Sequence, residues 1–172
     1  MRFMLQVFCL AKESILRKQI AEFLLGEGFF DNPDAFSPAP SAPASIVEGW
    51  DTLQIDYGPR KNALILLRDL GSHLLQHQIQ ELLLMVNSCA RSVQQLDIRR
   101  HLQEVSQAFT INIDHDAIPA NGWLMLDALE SYLAHKLDGV IYAPGEGFFN
   151  SKLEHLFLLP EKSVILPFNR VQ

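Results

Sequence analysis

Asp114-His115-Asp116 packs two carboxylates and an imidazole into three residues, the densest set of proton-transfer or metal-ligating groups in the chain. It follows Phe109 to Ile113, whose alternation of apolar residues with Thr110 and Asn112 reads as a strand, and loops beyond strand ends are where binding groups collect. Consecutive side chains do not converge, however. At an extended strand end 114 and 116 share a side while 115 points away, so an acid–base or metal centre needs a distant partner such as His101 or Glu146. A turn that uses Asp for backbone hydrogen bonds is the simpler account.

Gly-Glu-Gly-Phe-Phe occurs twice, at 26–30 and 145–149. The flanks do not match: the first copy follows a predicted helix and the second a predicted strand, so each is read locally and not as a duplication. Gly145 and Gly147 could admit a ligand close to the backbone, with Glu146 between them. The motif lacks the lysine of a phosphate loop and the full dinucleotide fingerprint, and Glu146 would repel a phosphate. His73 and His77 stand one helical turn apart, a metal-compatible spacing, but on the side away from the apolar stripe, where solvated imidazoles are the expectation. Cys9 lies inside an apolar strand and is a poor activated thiolate; no serine sits in a Gly-x-Ser-x-Gly elbow. Trp50 and Trp123 read first as core anchors. If exposed, either becomes a protein-contact residue.

The elements that must position these groups follow from apolar periodicity. Phe3 to Leu10 is almost unbroken apolar sequence, which predicts a strand covered on both faces and central in its sheet. Lys12 to Leu25 reads as a helix with Leu16, Ile20, Phe23 and Leu24 on one stripe and Gly26 at its left-handed end. Thr52 to Tyr57 and Ala63 to Leu67 form a hairpin across Gly58-Pro59. Ser72 caps a helix whose stripe is Leu75, Ile79, Leu82, Leu83 and Val86, and a second helix spans about 93–105. After the 109–113 strand, Met125, Leu126, Leu129, Tyr132, Leu133 and Leu137 mark another helix, ended by Asp138-Gly139 before the strand Val140 to Tyr142. A short helix near Lys152 to Leu158 and a strand at 163–166 complete the tail.

This order predicts an α+β fold: a ferredoxin-like βαββαβ core extended by a C-terminal αβ unit, with helices packed on a mainly antiparallel sheet. With 172 residues, 48% of them hydrophobic, residues 1–172 are expected to form a single α/β sandwich domain. Its one conspicuous interruption is a Pro/Ala/Ser-rich loop at 31–49. Pro40 and Pro43 there meet a minimal PxxP spacing, with no flanking Arg or Lys to orient a polyproline ligand.

The formal charge is −6, and basic and acidic residues divide evenly between the two halves, with no basic cluster denser than Arg60-Lys61 or Arg99-Arg100. That argues against nucleic acid as a partner. The first apolar run is too short to span a bilayer and lacks a cleavage site, so no membrane association is expected. Two cysteines in separate elements give no disulfide scaffold, and a cytoplasmic location is the simplest home. No cofactor or metal is expected. The sequence favours a small soluble protein-binding or regulatory module without catalytic chemistry, with self-association an open possibility. The alternative is an enzyme or small-molecule sensor whose pocket gathers the 114–116 turn and the 144–149 glycine loop.

Overall fold

The computed structural model describes residues 2–57, 62–114 and 118–159. The apolar N-terminal run becomes β1 (Arg2–Cys9), and its alternation divides two cores. Leu5, Val7 and Cys9 enter one core with residues of helices α1 (Arg17–Gly26) and α4 (Ala120–Lys136). Phe8 enters the other with residues of α2 (His73–Ser88) and α3 (Val93–Gln103). Helices therefore lie on both faces of the sheet. Phe8, Val7 and Cys9 have no exposed surface, and each fully buried apolar side chain of such size is worth roughly 1.5–3 kcal/mol.

The remaining strands are β2 (Phe36–Ser37), β3 (Thr52–Tyr57), β4 (Asn62–Asp69), β5 (Gln107–Asp114), β6 (Gly139–Ala143), β7 (Gly147–Phe149) and β8 (His155–Phe157). Their order across the sheet is β2-β3-β4-β5-β1-β6-β7-β8, and every neighbouring pair is antiparallel. The α+β class and a central β1 agree with the sequence. The ferredoxin-like order does not: that arrangement would set β1 between β4 and β5, whereas β5 lies between β4 and β1.

Local departures have local causes. Residues 12–16 are not helical, because their backbone is already engaged: Gln107 Nε2 donates to the carbonyls of Ala11 and Glu13, and Trp50 Nε1 to that of Ile15. α1 starts after Leu16, whose N–H donates to Gln19 Oε1 at 2.7 Å. Its last turn closes through Glu27 in the right-handed region, and the positive φ expected at Gly26 falls on Gly28. The expected tail helix at 152–158 is instead strand β8, paired with β7. The expected strand at 163–166 lies outside the described residues. Ser72 caps α2 as expected, accepting from the Leu75 N–H.

The Pro-rich loop is fastened to the sheet. Arg17 donates to the carbonyls of Ala44 and Thr52, Arg68 to that of Glu48 at 2.6 Å, and Ser45 Oγ to those of Pro40 and Ala42. Trp50 lies between the two guanidinium groups, 5.9 Å from Arg17 and 5.5 Å from Arg68. Arg68 is a buried cation on β4, whose Nε also donates to Gln107 Oε1. Among the described residues no helix is long and apolar enough to cross a membrane.

Candidate functional site

The residues singled out for chemistry divide into a strand end, a turn and two tryptophans. Asp114 ends β5 opposite Arg2 and is exposed; His115 and Asp116 lie outside the described residues. Gly145, Glu146 and Gly147 form the β6–β7 connection at the same end of the sheet, with β1 and β6 between them and β5. The turn is built on its own strands. Glu146 N–H donates to the Ala143 carbonyl across Pro144 and Gly145, and Gly145 has φ +84°, as the third position of a type II turn requires. A side chain on Gly147 would meet the Phe157 carbonyl oxygen at 2.1 Å, so the close approach this glycine permits is to β8. His155 Nε2 donates to the Glu146 carbonyl and ties the turn to the same strand.

Proposed partners for the 114–116 turn are engaged elsewhere. His101 Nε2 donates to the Phe8 carbonyl at 2.8 Å, near the opposite end of β1 from Arg2, about 20 Å away at the usual strand rise. Burial holds its pKa below the usual histidine value, against the Phe8 carbonyl bond, Asp138 and Glu104, which raise it. His73 and His77 are exposed, and His77 Nδ1 lies 3.8 Å from Glu81 on the same helix. Among the described residues no three His, Cys, Asp or Glu groups are arranged to hold a metal ion. Burial, with help from Asp138 and against Arg68, pushes the Cys9 thiol up to about 12, which makes it inert as a nucleophile. Trp50 is only 3% exposed, so it is a core anchor and not a contact residue; its surface-contact reading is corrected. Trp123 is half-buried, with its ring edge-on to Phe3 at 6.2 Å.

Two features went unread in the sequence. The first is Glu130 on α4, 4% exposed, with a buried Oε1 that has no hydrogen-bond partner. Burial first, then the charges of Asp127 and Glu146, push its carboxyl up to about 8. It stands four residues after Leu126 and four before Ala134, both buried, so helical periodicity does place it on the covered face.

The second is an open stretch of sheet. α2 and α3 cover Phe8, Ala108, Val140, Tyr142 and Phe148, while the same face of β3, β4 and the adjoining halves of β5 and β1 is less covered. Across these strands Gln54, Ile65, Asn112 and Met4 stand in one register row, and Thr52, Leu67, Thr110 and Gln6 in the next. Ile65 is 36% exposed, and its row companions are partly exposed. One wall of this surface is α2: Gln6 Nε2 donates to Gln78 Oε1, and Leu74, one turn before Gln78 on that side of the helix, is 58% exposed. The floor is thus aliphatic and amide in character, without an aromatic or charged side chain in either row. A separate groove of about 490 Å³ runs along α2, with Ile79, Leu83, Leu102 and Val105 among its apolar lining and Gln76, Gln80 and Gln103 among its amides.

Comparison with known proteins returns no matching family model, no matching curated protein and no matching solved structure.

Proposed function

We propose that this chain is a protein-binding or regulatory module without catalytic chemistry, and that its partner docks on the open sheet face walled by α2. The observation that carries this reading is the double row Gln54-Ile65-Asn112-Met4 and Thr52-Leu67-Thr110-Gln6, an uncharged mixture of aliphatic and amide groups on a four-strand floor, all of them partly accessible except Gln6, which is buried against α2. Surfaces of this composition suit another folded protein, since apolar contacts supply area while amides fix register. The surface lacks what nucleic acid or phosphate ligands need: no Lys or Arg stands in either row. The 114–116 and 144–149 loops give weaker support to a small-molecule pocket, because the glycine turn is packed by β8.

Affinity capture from the native cell extract tests the proposal, with the wild-type chain beside Ile65→Lys and Leu74→Asp. A stoichiometric protein held by wild type and lost by both variants supports it. Capture unaffected by both substitutions removes the docking face, and a metabolite or metal that raises the melting temperature of the wild type while no protein is captured removes the module reading altogether.

A further inference from the structure

Beside the meander at the C-terminal side of the sheet lies a carboxyl group whose buried Oε1 has no hydrogen-bond partner among the described residues. Glu130 lies on the covered side of α4, and its buried Oε1 lacks any hydrogen bond. The next residue, Ser131, donates its hydroxyl to the Ser151 carbonyl, which places this part of α4 against the β7–β8 connection. Charges facing Glu130 are of its own sign: Asp127 one turn earlier on α4, and Glu146 in the β6–β7 turn. Among the described residues the other packed elements bring no compensating cation, and on β8 the exposed His155 donates to the Glu146 carbonyl. From α1, Glu22 acts on Tyr132; on β1, the only titratable side chain on this face is Cys9, which answers to Asp138 and Arg68. On α4 itself His135 and Lys136 are exposed beyond the covered stretch, and in the 150–154 turn Lys152 is exposed while Glu154 accepts from Asn150 Nδ2.

We infer that Glu130 is the proton-controlled clasp of the β7–β8 meander: protonated, it lets α4 lie on β6 and hold the β7–β8 connection at Ser151, and ionised beside Asp127 and Glu146 it releases Gly147–Phe157. The mechanism needs one proton and no other partner. A neutral carboxyl tolerates a buried site at modest cost, whereas a carboxylate gives up most of its hydration on burial, and two neighbouring negative charges add repulsion. Release would uncover Phe148 and Leu159, which in the closed form sit beneath α2 and α3 with 0% and 3% exposure. Glu130 itself lies on the opposite layer of helices from the docking face, whose floor is formed by other strands.

Amide hydrogen exchange across pH, corrected for the intrinsic rate, tests the clasp. In the wild type the opening equilibrium of amides in Gly147–Phe157 is expected to rise about tenfold per pH unit from pH 5 to pH 7.5 and to level near pH 8, as loss of one proton requires. Glu130→Gln should flatten that slope. Glu146→Gln, an exposed position outside the core, should move the levelling point to lower pH, and it keeps the test valid should the first variant fail to fold. A slope that persists in Glu130→Gln, a levelling point unmoved in Glu146→Gln, or the same slope and protection in the amides of β1 and β5 would each overturn the inference, the last because it makes the event global unfolding.

Discussion

Replacing Glu130 by Gln should make stability nearly indifferent to the ionisation that now drains it. The carboxyl is raised from an ordinary 4.5 to about 8 by burial and by Asp127 and Glu146, so the native state holds this proton more tightly than the unfolded chain does. Its contribution is therefore intact below about pH 4.5, falls as pH rises, and is fully lost above about pH 8. Between pH 5 and pH 9 the loss spans about three pH units, which at about 1.4 kcal/mol per unit comes to about 4 kcal/mol. Gln carries its own cost, because its amide inherits the unpartnered site and an unmade buried hydrogen bond costs about 1–3 kcal/mol. That cost is the same at both pH values. The decisive quantity is thus the change in the stability gap between variant and wild type from pH 5 to pH 9, read from urea unfolding, in which other carboxylates cancel. A gap that shifts toward the variant by 3–5 kcal/mol agrees with a buried, unpaired acid. A shift under about 1 kcal/mol refutes the reasoning, because it would mean that Glu130 ionises in the fold as easily as in water.

The loop clamp predicts that Arg68→Ala costs about 3 kcal/mol in chemical denaturation, since charge-assisted bonds to Glu48 and Gln107 vanish and Gln107 Oε1 is left without its donor. Limited proteolysis of that variant should then cut within 38–49; a loop as resistant as in the wild type would show that the Arg17 and Ser45 bonds suffice. Gly147→Ala is expected to lower stability by roughly 3 kcal/mol or more, because φ is +107° and the new methyl would sit 2.1 Å from the Phe157 carbonyl oxygen. A thermal melt within 2 °C of the wild type would sink that expectation. Native-state alkylation at pH 8, followed by mass spectrometry, should modify the half-buried Cys89 well before the fully buried Cys9, and equal rates would contradict the packing of β1.

What the sequence made legible was periodicity confined within an element. The run Phe3 to Leu10 lacks a polar face, and β1 indeed packs helices on both faces at its Val7–Cys9 end, while Met4 stays partly exposed. The stripes Leu75–Val86 and Met125–Leu137 name the buried sides of α2 and α4, because a helix repeats its face every three or four residues whatever it packs against. Strand order carries no such local mark. β4, β5 and β1 all present alternating or apolar patterns, and nothing within any of them says which two are neighbours, so the ferredoxin-like order was plausible locally and wrong in space. β2 and β8, of two and three residues, are too short to show a period at all. The same limit governs the site. Arg68 interrupts the alternation Leu64, Leu66 on the buried side of β4, and Glu130 interrupts the stripe of α4; both were legible as charged residues on covered faces. Their partners were not, since a buried arginine held by the Glu48 carbonyl and a buried acid whose Oε1 has no hydrogen-bond partner differ only through contacts remote in sequence.

The shape of the sheet also constrains how this protein meets others. A long exposed edge strand would invite pairing through backbone hydrogen bonds, yet among the described residues the two edges are β2, two residues followed at once by Pro38, and β8, three residues ending against Leu158 and Leu159. Neither edge offers a ladder long enough to template another strand, and proline removes a donor where β2 would extend. Association through the sheet must therefore use a face. One face is closed by α1 and α4, and the other is closed by α2 and α3 only as far as the row containing Phe8 and Ala108. Beyond that row the sheet offers Ile65, Leu67 and Met4 among amides, with Leu74 overhanging from α2. A partner that docks there must match this surface through side chains, so a charge introduced at Ile65 or Leu74 should abolish binding while leaving the fold within about 0.5 kcal/mol, the usual cost of exposed substitutions.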